Sequence, residues 1–146
     1  MRSTHAARRP AAFAFALDAI GRRHFGVYAL ARAGWADALE AALAGVRARS
    51  TADDEEAKRV WAPVGCAVIE AAAAFGAGDR ARAAALLDPV MPMMTSIGGS
   101  DAQDDLFRQT YLRSLQAAGR HADAAAYFDA ITAGRPRSPL DRALAN

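Results

Sequence analysis

Gly119-Arg-His-Ala-Asp-Ala-Ala-Ala-Tyr-Phe-Asp-Ala-Ile131 is the stretch from which the fold can be read. Its apolar residues Ala124, Tyr127, Phe128 and Ile131 follow the glycine at five, eight, nine and twelve positions. Such spacings of three and four place all four on one stripe of an α-helix. The same pattern occurs twice upstream. Gly34 precedes Leu39, Ala42, Leu43 and Val46, and Gly78 precedes Ala83, Leu86, Leu87 and Val90. Each glycine suits a tight turn feeding the helix that follows. The three glycines recur after 44 and then 41 residues, which is the signature of stacked helical hairpins. Hairpins of this kind are expected to present a surface rather than assemble a reaction.

The rest of the chain agrees with an all-α domain. At 146 residues it is read as one unit, with Met1–Pro10 as a polar, frayed start and a helical-repeat domain from 11 to 146. Hydrophobic residues make up 53% and charged residues 23%, which leaves enough apolar surface for a core without a metal or disulfide. Alanine dominates and β-branched residues are few, so helix is favoured almost throughout. No cofactor is expected.

Charge argues against nucleic acid. The net charge is +2, and the arginines are scattered as pairs such as Arg8–Arg9 and Arg22–Arg23, balanced by the acids of Asp53–Glu56 and Asp101–Asp105. Of the 18 basic residues only Lys58 is a lysine, which we read as codon bias. Cys66 is the only cysteine and sits in an apolar run, so it is expected to be a buried small hydrophobe in a reducing, cytoplasmic setting. No stretch is read as reaching the roughly 18 apolar residues of a membrane span. Arg8 to Leu17 imitates a signal peptide, but its apolar core is short and ends at Asp18, so a first helix is expected there.

Along the chain, Phe13, Leu17 and Ile20 form a helical set, Gly21 is a candidate interruption, and Arg22 to Ala33 forms the first partner helix. Ser50 to Asp54 is a break, after which Asp53 and Glu56 resemble a capping pair. Pro63 leaves two possibilities open, a helix restart or a kink. Pro89 and Pro92 stop the second stripe, and Met91, Met93 and Met94 read as an exposed cluster bridging hairpins. Ser100 with Gln103 forms a capping box for the helix carrying Phe107, Tyr111 and Leu115. Ser138-Pro139 starts a terminal helix that seals the stack.

For chemistry, the residues offer little. His5, His24 and His121 lack any partner at a metal-ligand spacing, so no metal site is assigned. Asp101, Asp104 and Asp105 are the best carboxylate cluster, but all three stand where a helix dipole favours acid. A small enzyme or metal-dependent domain centred on that helix start is the alternative to a non-catalytic module. A purely structural homodimer is a third reading.

Pro136, seventeen residues after Gly119, completes a spacing that resembles the second helix of tetratricopeptide repeats. Ile97-Gly-Gly-Ser-Asp-Ala-Gln-Asp-Asp-Leu-Phe107 resembles the Gly-Gly-Ser-His-Ala-Gln-Arg-Asp element of the tetratricopeptide repeat protein 38-like family. Tyr28-Ala-Leu-Ala-Arg-Ala-Gly34, Ala62-Pro-Val-Gly-Cys66 and Gly134-Arg-Pro-Arg-Ser-Pro139 also fit. The likeness spans residues 20 to 142 and corresponds to the C-terminal part of a longer family protein. Asp101 and Asp104 depart from it, standing where the family has histidine and arginine. The resemblance implies a tetratricopeptide-like right-handed superhelix of about three antiparallel hairpins with terminal capping helices.

It also implies a protein-interaction role, as a scaffold or adaptor holding a protein or peptide in a concave groove lined by the first helix of each hairpin. Counting back from the turn glycines, the binding residues would be His24, Tyr28 and Arg32 in hairpin one. Val68 and Ala72 would form an apolar floor in hairpin two. Gln109, Arg113 and Gln116 would line hairpin three. Such a groove, with arginines at both ends, suits an extended peptide with carboxylate ends.

Overall fold

The three turn glycines adopt one conformation. Gly34, Gly78 and Gly119 have φ of 71°, 88° and 78°, the left-handed region that a Cβ disfavours. At each turn the glycine N–H bonds back to the third residue before it, and the next N–H to the fifth residue before itself. These are Gly34 to Ala31 O and Trp35 to Leu30 O, Gly78 to Phe75 O and Asp79 to Ala74 O, and Gly119 to Gln116 O and Arg120 to Leu115 O. This paired return is the Schellman motif, which satisfies carbonyls the helix end leaves open. It ends one helix and starts the next after two or three residues.

In the computed structural model the described residues are 11–97, 101–134, 136 and 138–144, with the backbone alone described for 11–18, 95–97, 101–104, 140 and 144. Most of the described residues are helical and no strand occurs among them, so the fold is all-α. In order the helices are α1 (Ala11–Ala33), α2 (Ala36–Ser50), a π-helical segment Ala57–Gly65 running into α3 (Cys66–Gly76), α4 (Arg80–Leu87), α5 (Met91–Ile97), α6 (Asp101–Ala117), α7 (His121–Thr132) and α8 (Pro139–Leu144). The glycine turns join α1 to α2, α3 to α4, and α6 to α7.

Packing runs from α1 to α3, from α3 to α4, from α4 to α6 and from α6 to α7, while α2 lies against α1, α3 and the π segment. Every stripe residue of the three repeats is buried or half-buried. The centre is α3, where Val68, Ile69, Ala71, Ala72, Ala73 and Ala74 are all buried. A helix apolar on all sides belongs inside a protein, and small alanines let four neighbours crowd it. Gly76 shows how closely α1 approaches. A Cβ there would stand 2.8 Å from the Tyr28 carbonyl oxygen and 2.9 Å from the Ala31 Cβ.

Several local expectations are corrected. Gly21 does not interrupt α1, which is continuous, and the glycine is buried within it. Asp54, not Asp53, caps the helix after the break, with its Oδ1 accepting from the Ala57 N–H at 2.8 Å. Pro63 does not restart its helix. It lies inside the π segment, where the Cys66 N–H reaches back five residues to the Trp61 carbonyl. The wider turn absorbs a residue that has no N–H and whose ring would clash with the carbonyl four residues back. Met91 and Met94 are buried and only Met93 is exposed, because α5 turns them inward after Pro89. The helix Ala57–Gly76 is long and apolar enough to span a bilayer by length and composition, contrary to expectation, and 61% of its apolar window is buried inside the protein.

The terminal start is as read. Ser138 Oγ accepts from the Asp141 N–H at 3.1 Å, and the Asp141 carboxylate accepts from the Ser138 N–H at 2.7 Å. Met1–Pro10 and the Ser100 cap lie outside the described residues.

Candidate interaction surface

Two partly buried polar clusters tie the hairpins together. Trp61 is the first. Its Nε1 donates to Glu56 Oε1 at 2.8 Å, and the Arg23 and Arg49 guanidinium carbons lie 5.3 and 5.9 Å from its ring centre. Arg49 also forks onto both Asp54 oxygens at 2.7 and 3.1 Å. The indole thus ties α1 and the end of α2 to the π segment. Asp88 is the second. It accepts from Tyr111 Oη at 2.6 Å and from Arg120 Nη1 at 2.8 Å. Burial works to raise the Asp88 pKa, but the hydrogen bonds from Arg120 and Tyr111 outweigh it and hold the carboxyl below its ordinary value.

The sequence-derived groove residues do not form one open groove. His24 is 4% exposed, not a groove wall. Its ring centre lies 5.4 Å from Phe107 and 5.9 Å from Phe25, both edge-on, so α1 and α6 close on each other at this point. Neither His24 nitrogen has a hydrogen-bond partner, and burial pushes its pKa down to about 4. The expected floor, Val68 and Ala72, is buried and not open to a ligand.

The remaining groove residues sit toward the ends. Tyr28 is half-buried against Phe75 at 6.1 Å between ring centres, and Arg32 is exposed. On α6, Arg113 is exposed and donates to Gln116 Oε1 at 3.0 Å and to the Ala143 carbonyl of α8 at 3.4 Å. Gln109 and Gln116 are half-buried. Side-chain spacing on separate helices did not reveal that Phe107 of α6 would reach His24 of α1.

The acidic helix start offers no constructed site among the described residues. Asp105 is exposed and pairs with Arg108 at 3.7 Å, while the side chains of Asp101 and Asp104 lie outside the described set. No three His, Cys, Asp or Glu side chains converge among the described residues. Cys66 is half-buried, and burial first of all pushes its thiol pKa up, away from the reactive thiolate.

An open surface appears elsewhere. Between α1 and α2 lies a groove of about 320 Å³ lined by Arg22, Arg23, Gly26, Val27, Leu30, Ala42 and Val46. Its floor is apolar and its arginines sit at one end. Two large apolar side chains are also well exposed on this hairpin, Phe25 at 60% and Trp35 at 65%. The signal for this surface was present in the sequence as glycines inside α1 and α2. Gly26 and Gly45 have no atom within 4 Å of where a Cβ would stand. A mid-helix glycine costs about 1 kcal/mol relative to alanine, and nothing among the described residues uses the space.

No protein-family model, curated protein or solved structure matches the chain. The likeness to tetratricopeptide proteins therefore rests on its own residues.

Proposed function

We propose that the chain is a non-catalytic protein–protein interaction module, built as a tetratricopeptide-like right-handed superhelix of three hairpins, and that it receives a protein helix or peptide. The repeat reading is supported by the three superposable glycine turns, each followed by a buried stripe at the same offsets. Repeats of this kind bury their hydrophobic faces on neighbours and leave the outer faces for partners. The observation that carries the proposal is the open apolar groove between α1 and α2, on a hairpin that also exposes Phe25 and Trp35. Contiguous exposed apolar surface rimmed by charge marks an interaction site. The contact face thus moves from the concave side, where His24, Val68 and Ala72 are covered, to the α1–α2 side. Helix-in-groove binding fits this shape, with small apolar anchors at helical spacing.

The test is photo-crosslinking in living cells. A benzophenone side chain replaces Gly26 in one variant and exposed Ala125 of α7 in another. Adducts to protein from position 26 and none from position 125 are the expected result. Equal labelling, or none from position 26, overturns the reading.

A further inference from the structure

The congruent turns permit a residue-by-residue comparison of the three first helices. Eight positions before the turn glycine stand Gly26 in α1, Glu70 in α3 and Tyr111 in α6. Glu70 accepts from Arg47 of α2 at 2.9 Å, and Tyr111 donates to Asp88, which closes α4, at 2.6 Å. In both cases this position reaches the second helix of the hairpin before it. Gly26 occupies the same position and meets nothing within 4 Å. The groove beside it is therefore the place where this fold seats the second helix of another hairpin, here left uncovered by the described residues.

We infer that a second copy of this chain covers it, each copy laying its α2 into the α1–α2 groove of the other about a two-fold axis. This rests on the repeat reading above. Three features of α2 make it the occupant. First, α2 is itself the second helix of a hairpin, the class of helix that the register assigns to this position. Second, Ala38, Ala41, Gly45 and Ala48 are exposed along one side of it at spacings of three, four and three. A ridge of such small residues lets two helices approach to the short end of the usual 8–10 Å interaxial range.

Third, the charges complement one another. Arg22 and Arg23 line the groove with Val46, so they lie beside the C-terminal half of α2. Asp37 and Glu40 are exposed in its N-terminal half, Glu40 already paired with Arg47 of the same helix at 3.0 Å, so Asp37 is the charge that faces outward. A two-fold axis running the two α2 helices antiparallel sets the acidic half of each against the arginine end of the other groove. The contact is isologous, so it closes at two copies and does not propagate. Burying the groove would also account for the two open glycines, which the isolated chain has no packing reason to hold in its helices.

Sedimentation equilibrium of the full chain, over a wide concentration range, tests this with four proteins: wild type, G26E, R22E and R22E/D37R. The wild type is expected at twice the chain mass of 15.4 kDa, and G26E and R22E at the single mass with unchanged helical circular dichroism. R22E/D37R, which restores opposite charge across the axis, is expected to regain the doubled mass. A wild type at the single mass throughout overturns the inference, as does a doubled mass that persists in G26E and R22E. A double variant that stays at the single mass excludes α2 as the occupant and overturns it equally. Should G26E unfold, R22E and its rescue decide alone, because Arg22 is exposed. A single-mass wild type whose position-26 probe still captures other proteins removes the second copy and leaves the interaction reading standing. Absence of any adduct removes both.

Discussion

The Tyr111 hydroxyl donates a 2.6 Å hydrogen bond to the Asp88 carboxylate across 23 residues of sequence. It locks the first helix of the third hairpin to the end of the second hairpin. Burial, with the Asp88 charge added to it, pushes the Tyr111 pKa above its ordinary value, so the phenol stays a donor. The ring packs edge-on against Tyr127 of α7 at 4.8 Å, so one side chain joins α4, α6 and α7.

Tyr111→Phe keeps the ring and removes only the donor. We expect a loss of about 1 kcal/mol in urea denaturation, in the range for a hydrogen bond to a partly solvated charged group. An unchanged midpoint would show that the bond does not form in solution.

His24 makes stability depend on pH. Its folded pKa of about 4 lies below the ordinary 6.5 because it is buried without a partner. Between those values the unfolded chain binds the proton more readily, so stability falls as pH drops from 6.5 towards 4. The full loss amounts to about 3 kcal/mol. His24→Leu abolishes this contribution. The stability difference between variant and wild type should grow in favour of the variant across that window and level off below it. A constant difference would place His24 in contact with water or a partner.

Two glycines should respond in opposite directions to alanine. Gly76→Ala forces a Cβ to within 2.8 Å of the Tyr28 carbonyl oxygen, and separating α3 from α1 should cost roughly 1–3 kcal/mol. Gly26→Ala adds a methyl where the single chain leaves space within a helix and, measured in the R22E background that holds the protein at the single mass, should raise stability by up to about 1 kcal/mol. Thermal melts of the pair check both signs together. The same sign for both would mean that the α1–α3 approach is looser than described.

Phe128→Ala tests the third repeat. The side chain is 5% exposed in the stripe of α7, and its removal should cost about 3–5 kcal/mol. A loss below about 1 kcal/mol would show that α7 is not docked on the core.

Helix, turn and stripe were legible in the chain because they are local. The four stripe positions after each glycine report a 3.6-residue period, and a positive φ at Gly34, Gly78 and Gly119 follows from the absence of a Cβ. Ser138 announced its helix by the same local chemistry. Pro63 could not be read in this way, because a π turn that accepts a proline is stabilised by what surrounds Trp61 rather than by its own sequence.

The candidate surface belongs to the tertiary level. Counting offsets placed His24, Tyr28 and Arg32 on α1 and Gln109, Arg113 and Gln116 on α6, and both sets are on those helices. Counting could not show that His24 would meet Phe107 and be sealed from water. The sequence by itself determined which residues form helices, where the three hairpins turn, and which stripe of each second helix faces inward. Only the tertiary structure decided which outer faces stay open. Side-chain periodicity constrains one helix at a time, whereas the angle at which helices meet depends on the summed fit of many small residues around α3.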